Sequence, residues 1–156
     1  MIFVVGGTFQ GKGAVAMALA REKAQKEGDI ICLDADDEAV MEKMMGTVHV
    51  LEHVQLLIKR EIDRLYQKDG GYIERNEQQK AIIETEIING VWNGIQTWIG
   101  KNDNLIITMD EVGNGVVPME YRERAYREIT GRIGCRLAEE AEEVYQVVCG
   151  ISKKIK

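Results

Sequence analysis

The chain has 156 residues, 45% of them hydrophobic and 29% charged, and a formal net charge of −6 at pH 7. That balance is too apolar for a disordered segment and too interrupted by charge for membrane spans, and an acidic chain without a basic block lacks the clustered Lys and Arg that hold a nucleic-acid backbone. A chain of this length can bury a core of its own without disulfides or a structural metal, so one domain over residues 1–156 and a small-molecule partner are expected.

Met1–Val5 is an apolar run far shorter than the ~20 residues of a membrane helix, and no basic leader precedes it, so a cytoplasmic protein is expected. Within it, Ile2–Val5 lacks the alternation of a half-exposed strand and reads as a strand buried on both faces, ended by Gly6 and Gly7. The Ala-rich stretch Lys12–Glu27 reads as a helix stopped by Gly28. Ile30–Leu33 is a second short strand, followed by Asp34, Asp36 and Asp37. Helices are expected at about 37–45 and 50–67, the second from the spacing of Val50, Val54, Leu57, Ile58, Ile62 and Leu65, before a break at Lys68–Gly71.

Further along, Lys80–Ile88 reads as a strand and Val91–Ile99 as a helix carrying Trp92, Ile95 and Trp98. Leu105–Met109 is a compact strand leading into Asp110, Glu111, two glycines and the only proline, Pro118. A long charged helix over Met119–Ala141 and a last strand over Glu143–Cys149 complete an alternating pattern. The fold class is therefore α/β, a P-loop NTPase-like three-layer fold with a mostly parallel central sheet. Cys32, Cys135 and Cys149 are odd in number and widely spaced, which favours buried reduced thiols over a disulfide or a metal site.

The residues Gly6, Gly7, Thr8, Phe9, Gln10, Gly11, Lys12 and Gly13 have the G-x-x-x-x-G-K spacing of a phosphate-binding loop, in the strand-to-helix context the motif requires. Glycines let the backbone wrap so that N–H groups and a helix N-terminus face the phosphates, and Lys12 adds a point charge near the outer phosphates of ATP or GTP. The bland reading is a Gly-rich turn with a surface lysine. Gly13 stands where a Ser or Thr hydroxyl normally binds Mg²⁺. A metal here would rely on water and on carboxylates from strand ends, and Glu84, Asp110 and Glu111 are the candidates, against the reading of each as a solvated charge.

The segment Thr108-Met109-Asp110-Glu111-Val112-Gly113-Asn114-Gly115-Val116-Val117-Pro118 resembles the N-E-V-G-x-G-I-V-P segment of the adenosylcobinamide kinase/adenosylcobinamide-phosphate guanylyltransferase family. The resemblance continues through Arg124, Tyr126-Arg127-Glu128, Gly131, Leu137-Ala138, Ala141-Glu142-Glu143-Val144 and Val148-Cys149-Gly150, and the loop beginning Gly6-Gly7 matches as well. It implies a P-loop α/β domain that phosphorylates adenosylcobinamide and then transfers GMP onto the product, two steps of cobalamin assembly. It also implies a corrinoid substrate and a homo-oligomer, a trimer in that family. Val112, Gly113, Gly115, Pro118, Arg124 and Arg127 are carried over as substrate-loop residues.

That family carries the guanylyl group on a histidine following a D-E-M-x-x-R-I-x-x-H segment. Here Asp37-Glu38 begins a comparable stretch, with Met45 and Gly46 where the histidine is expected, so His49 is taken as the candidate acceptor ahead of His53. Arg122, Arg124, Arg127, Arg132 and Arg136 either supply charge to a transferring phosphoryl group or pair with the glutamates around them on an exposed helix. Against the transferase stands a second reading, a non-catalytic nucleotide-binding protein that keeps the fold and loop without the metal and guanylyl-acceptor residues. A third is a small ATPase using Asp110 and Glu111.

Overall fold

The structure, a computed structural model, describes residues 1–37, 48–68 and 76–156. Six strands form one sheet: β1 (Ile2–Gly6), β2 (Ile30–Asp34), β3 (Val48–Glu52), β4 (Leu105–Asp110), β5 (Glu143–Val148) and β6 (Ile151–Lys154). Their order across the sheet is β2-β3-β4-β1-β5-β6, parallel throughout except for the antiparallel β5–β6 pair. Among the described residues four α-helices flank it: α1 (Lys12–Lys23), α2 (Val54–Lys68), α3 (Glu77–Lys101) and α4 (Tyr121–Glu140).

Strand alternation divides the core into two layers. Ile2, Val4, Val48, Val50, Ile106 and Val147 face Ala16 and Ala20 of α1. On the other face, Phe3, Leu51, Leu105 and Ile107 meet Ile58 and Ile62 of α2, Val91, Ile95 and Trp98 of α3, and Ile129, Ile133 and Leu137 of α4. The α/β three-layer architecture expected from the alternating pattern is thus present. Each fully buried Ile, such as Ile106, Ile107, Ile129 and Ile133, contributes about 1.5–3 kcal/mol relative to exposure. The small residues of α1 let that helix lie close on the sheet and bring its N-terminus to the end of β1.

The chain leaves β1 towards β2 and β3 on one side, whereas from β4 it passes β1 to reach β5 on the other. Connections therefore diverge at the C-terminal ends of β1 and β4, the place where open α/β sheets form a ligand crevice. In register, Gly6 lies beside Asp110 across that junction.

Five expectations need correction. The helix expected to run to Glu27 and stop at Gly28 ends at Lys23, beyond which Ala24 is extended. The run read as one helix over 50–67 is a strand and a helix joined by a single residue, His53, at φ 61°. Val50 and Val54 keep a helical spacing across the joint by coincidence, since Val48 through Leu51 are buried on both faces of the sheet. Lys80–Ile88 is the first part of α3, not a strand. Its β-branched residues suggested extension, yet Ile87, Ile88, Val91, Ile95 and Trp98 form one buried helical stripe, and Asn76 with Gln79 makes a reciprocal capping box at its start.

The last strand is a hairpin. Cys149 (φ 50°) and Gly150 (φ 78°) make its two-residue turn, the positive φ pair that matches strand twist, and β6 covers the edge of β5. The three cysteines are free and exposed, not buried: Cys32 lies on the edge strand β2, Cys135 on the outer side of α4, and Cys149 in the hairpin turn. The helix expected at 37–45 and the break at 68–71 lie, beyond Asp37 and Lys68, outside the described residues.

Candidate functional site

The loop 7–11 bridges β1 and α1 and is tied down from three sides. Gln10 N–H donates to the Gly7 carbonyl at 3.3 Å, closing the turn, and Gly11 enters the helix at φ 88°, a left-handed conformation natural to glycine. On the hairpin side, Gly150 N–H donates to the Gln10 carbonyl at 2.9 Å and Cys149 N–H to Gln10 Oε1 at 2.6 Å. From β4, Glu111 N–H donates to the Gly6 carbonyl at 2.9 Å. Phe9, at φ 58°, projects wholly into solvent.

Lys12 is the charged centre. Its stem is buried, and its ammonium reaches back to donate to the Gly7 carbonyl at 2.8 Å while pairing with Asp110 Oδ1 at 2.5 Å. Asp110 ends β4, is largely shielded from solvent, and accepts from Thr8 Oγ1 at 2.9 Å on its other oxygen. Its own N–H donates at 3.0 Å to Oε1 of buried Gln55, in the first turn of α2. Burial, then the Asp110 and Glu123 carboxylates, push the Tyr126 phenol up to about 12.

After β4 the loop 112–119 is held by the two arginines singled out beforehand. Arg127 donates to the carbonyls of Val116 at 2.8 Å, Gly115 at 3.4 Å and Gly113, and Arg124 to those of Pro118 at 3.1 Å and Met119. Gly113 (φ 126°) and Gly115 (φ 149°) adopt positive φ here. Arg132 pairs with Glu128 of the same helix, as expected of a surface arginine, whereas Arg122 pairs across to Asp63 of another helix, α2. The side chains of Val116 and Met119 are almost fully exposed beside this anchored backbone.

The metal candidates are not gathered. Glu84, expected at a strand end, sits in α3 and accepts from the Tyr121 hydroxyl at 2.6 Å, and Glu111 is exposed and accepts from Asn114 at 3.1 Å. Among the described residues no three His, Cys, Asp or Glu side chains are grouped to hold a metal ion. Sequence reasoning missed Glu52, the last residue of β3, whose carboxylate lies over Gly13. The signal available was the glycine itself, which leaves room for a neighbour.

His49 is in the middle of β3 and fully buried, with neither ring nitrogen hydrogen-bonded. Asn102 is its polar neighbour, and the Asn102 amide nitrogen is likewise unpartnered. Burial lowers the imidazole pKa, with Asn102 a smaller opposing influence. With the folded value below the unfolded one of about 6.5, the unfolded chain binds more protons as the pH falls through and below that value, and stability is lost there at up to about 1.4 kcal/mol per pH unit. Urea unfolding between pH 7.5 and 5.5 is expected to show that loss, and His49→Leu to flatten it.

His53 is the more accessible histidine, half-buried, its Nδ1 3.2 Å from Asp34 Oδ2 and its backbone N–H directed to Thr108 Oγ1 at 3.3 Å. The stretch with Met45 and Gly46 lies outside the described residues. An open groove of about 580 Å³ along α2 is lined by Asp36, Leu56, Lys59, Arg60, Glu61, Asp63 and Arg64. It shares no residue with the phosphate loop, and ion pairs such as Arg60–Asp36 and Arg64–Glu61 occupy its charges. The shielded Lys12–Asp110 pair lies instead beside the loop 7–11. No described helix is long and apolar enough to cross a membrane.

Comparison with known proteins shows the family. The family model for cobinamide kinase / cobinamide phosphate guanyltransferase matches residues 31–155. A bifunctional adenosylcobalamin biosynthesis protein of Escherichia coli (strain K12) is 28% identical over 180 aligned positions covering 100% of this chain and 99% of its own. Its counterpart from Salmonella typhimurium (strain LT2) is 46% identical over 52 residues, 33% of this chain and 29% of that one. The first alignment is longer than this chain, so the relative carries residues without a counterpart here.

Proposed function

Because the chain belongs to the cobinamide kinase / cobinamide phosphate guanyltransferase family, an enzyme family of cobalamin biosynthesis, we propose that it transfers the γ-phosphoryl group of ATP or GTP to the hydroxyl of adenosylcobinamide. The observation that carries this reading is the Lys12–Asp110 pair, 2.5 Å apart at the diverging ends of adjacent parallel strands, under a backbone loop open to solvent. The loop N–H groups and the N-terminus of α1 receive the triphosphate. Lys12 exchanges Asp110 for the phosphate oxygens, and its charge counters what develops on the transferring group. Asp110, released, would accept the hydroxyl proton or be one of the carboxylates that hold a divalent cation, which when bound would supply further charge neutralisation.

The substrate hydroxyl enters from the side of the 112–119 loop, which Arg124 and Arg127 fix through its carbonyls. Exposed Phe9, Val116, Val117 and Met119 offer apolar surface to a large corrinoid beside the polar nucleotide cradle. A homo-oligomer, trimeric as the resemblance implies, belongs to the same reading, and light scattering of the purified protein tests it.

Transfer of GMP through a histidine requires an exposed ring nitrogen, which His49 lacks and His53 has. Incubation with GTP labelled at the α-phosphorus is expected to label the wild-type chain and the His49→Leu variant and to leave the His53→Ala variant unlabelled. Label absent from the wild type removes the guanylyl step and leaves the kinase. The second reading, binding without transfer, is favoured by Gly13. Isothermal titration with ATP and GTP, paired with a product assay on the same sample, separates it: tight binding without phosphorylated corrinoid supports the binding protein.

A further inference from the structure

Position 13 is where the phosphate loop departs from the residue its spacing calls for, a Ser or Thr whose hydroxyl ligates the cation. The space of that side chain is already taken. A Cβ built on Gly13 would stand 2.4 Å from Glu52 Oε1, 3.5 Å from Cδ and 4.0 Å from Oε2. We infer that the Glu52 carboxylate replaces the missing hydroxyl as the loop's cation ligand, an inference that rests on the nucleotide reading above.

Three features of the chain hold the carboxylate there. Glu52 ends β3, in register with Asp34 of β2, and its carbonyl accepts from Ala35 N–H at 2.8 Å, so its backbone is fixed. Cys32 Sγ lies 3.4 Å from Oε2. That thiol donates to Oε2, which leaves Oε1 turned to the loop. Gly13 lies in the first turn of α1, which carries no acidic residue of its own.

A hard cation such as Mg²⁺ is held by one or two carboxylates together with substrate phosphates and water. Glu52 and Asp110, from neighbouring strands β3 and β4, supply that number on the protein side. A side chain at 13 and the Glu52 carboxylate exclude one another, which gives the glycine a reason. The competing role for Glu52 is a counter-charge to the helix N-terminus, and it predicts a different response to metal.

The test titrates the intact protein with ATP and with GTP, in chelator and in Mn²⁺, and follows bound Mn²⁺ by loss of the free-ion paramagnetic resonance signal. In the wild type, Mn²⁺ and nucleotide raise each other's affinity by the same factor. Glu52→Gln is expected to cut that factor about tenfold or more while nucleotide still binds in chelator. Glu52→Ala, which empties the space over position 13, is expected to lose the factor as well, and adding Gly13→Ser to Glu52→Ala restores it, since the hydroxyl enters the vacated space. Thermal melting of each variant checks the fold. A wild-type enhancement factor in Glu52→Gln, including the case where nucleotide binds equally tighter with and without Mn²⁺, overturns the inference and leaves the nucleotide reading intact. A wild-type chain that binds neither nucleotide under either condition overturns both.

Discussion

Replacing Lys12 with methionine is expected to reduce phosphorylation of adenosylcobinamide by about 10²–10³-fold, the usual effect of deleting one preorganised charge at a developing anion. Methionine keeps the length and apolar body of the buried stem, so packing around β1 and α1 is largely preserved. The charge it removes also neutralises Asp110 at 2.5 Å, and losing one partner of a largely buried pair costs about 3–5 kcal/mol. Activity and stability would therefore fall together in the single variant. Asp110→Asn in the same chain removes the orphaned carboxylate and recovers much of the stability, measured by urea unfolding, but not the rate. If the double variant regained both, Lys12 would be acting only through the fold.

The second large effect is structural. A Cβ at Gly6 would stand 2.3 Å from the Val147 carbonyl oxygen and 3.2 Å from its carbon, across the parallel β1–β5 pairing. The obstacle is backbone, which cannot rotate away, so the strands must part. Overpacking of this kind costs about 1–3 kcal/mol and occasionally more, and Gly6→Ala is expected at the upper end because it also pulls β1 from β5. For a domain of this size, that lowers Tm by on the order of 10 °C. Gly90 in α3 provides the contrast. Nothing lies within 4 Å of a Cβ there, and Gly90→Ala is expected to raise stability by about 0.5–1 kcal/mol through helix propensity. Differential scanning calorimetry of the two variants reads both signs.

What was legible in the sequence was local. The Gly6–Gly13 spacing between an apolar run and an Ala-rich stretch names both a motif and its strand-turn-helix setting, and Leu105–Asp110 declares itself by being apolar, short and ended by an acid. Arg124 and Arg127 were separated from their neighbours on family resemblance alone. The structure gives them a distinct place, on loop carbonyls instead of on glutamates. What was hidden depended on partners far along the chain. His53 as an elbow between β3 and α2 could not be read from a pattern that stays apolar across it, and the ties from Gln10 to Cys149 and Gly150 join opposite ends of the sequence.

The misreading of α3 has a different origin. Ile82, Ile83, Ile87 and Ile88 favour extension locally, and packing of one stripe against α2 and α4 outweighs that preference. Its start was nevertheless written in the sequence, since Asn76 and Gln79 have the spacing of a capping box. His49 shows the limit of reading a histidine from its type. Two residues from Leu51 in a strand buried on both faces, it is a core residue, whereas His53 reaches solvent because the chain turns there.

Phosphoryl transfer to the corrinoid is tested by incubating the protein with adenosylcobinamide, Mg²⁺ and ATP or GTP labelled at the γ-phosphorus, then separating the corrinoids. Label is expected in a phosphorylated corrinoid from the wild type, and about 10²–10³-fold less from Lys12→Met. Nucleotide bound by the loop with no label entering the corrinoid would contradict the proposed transfer.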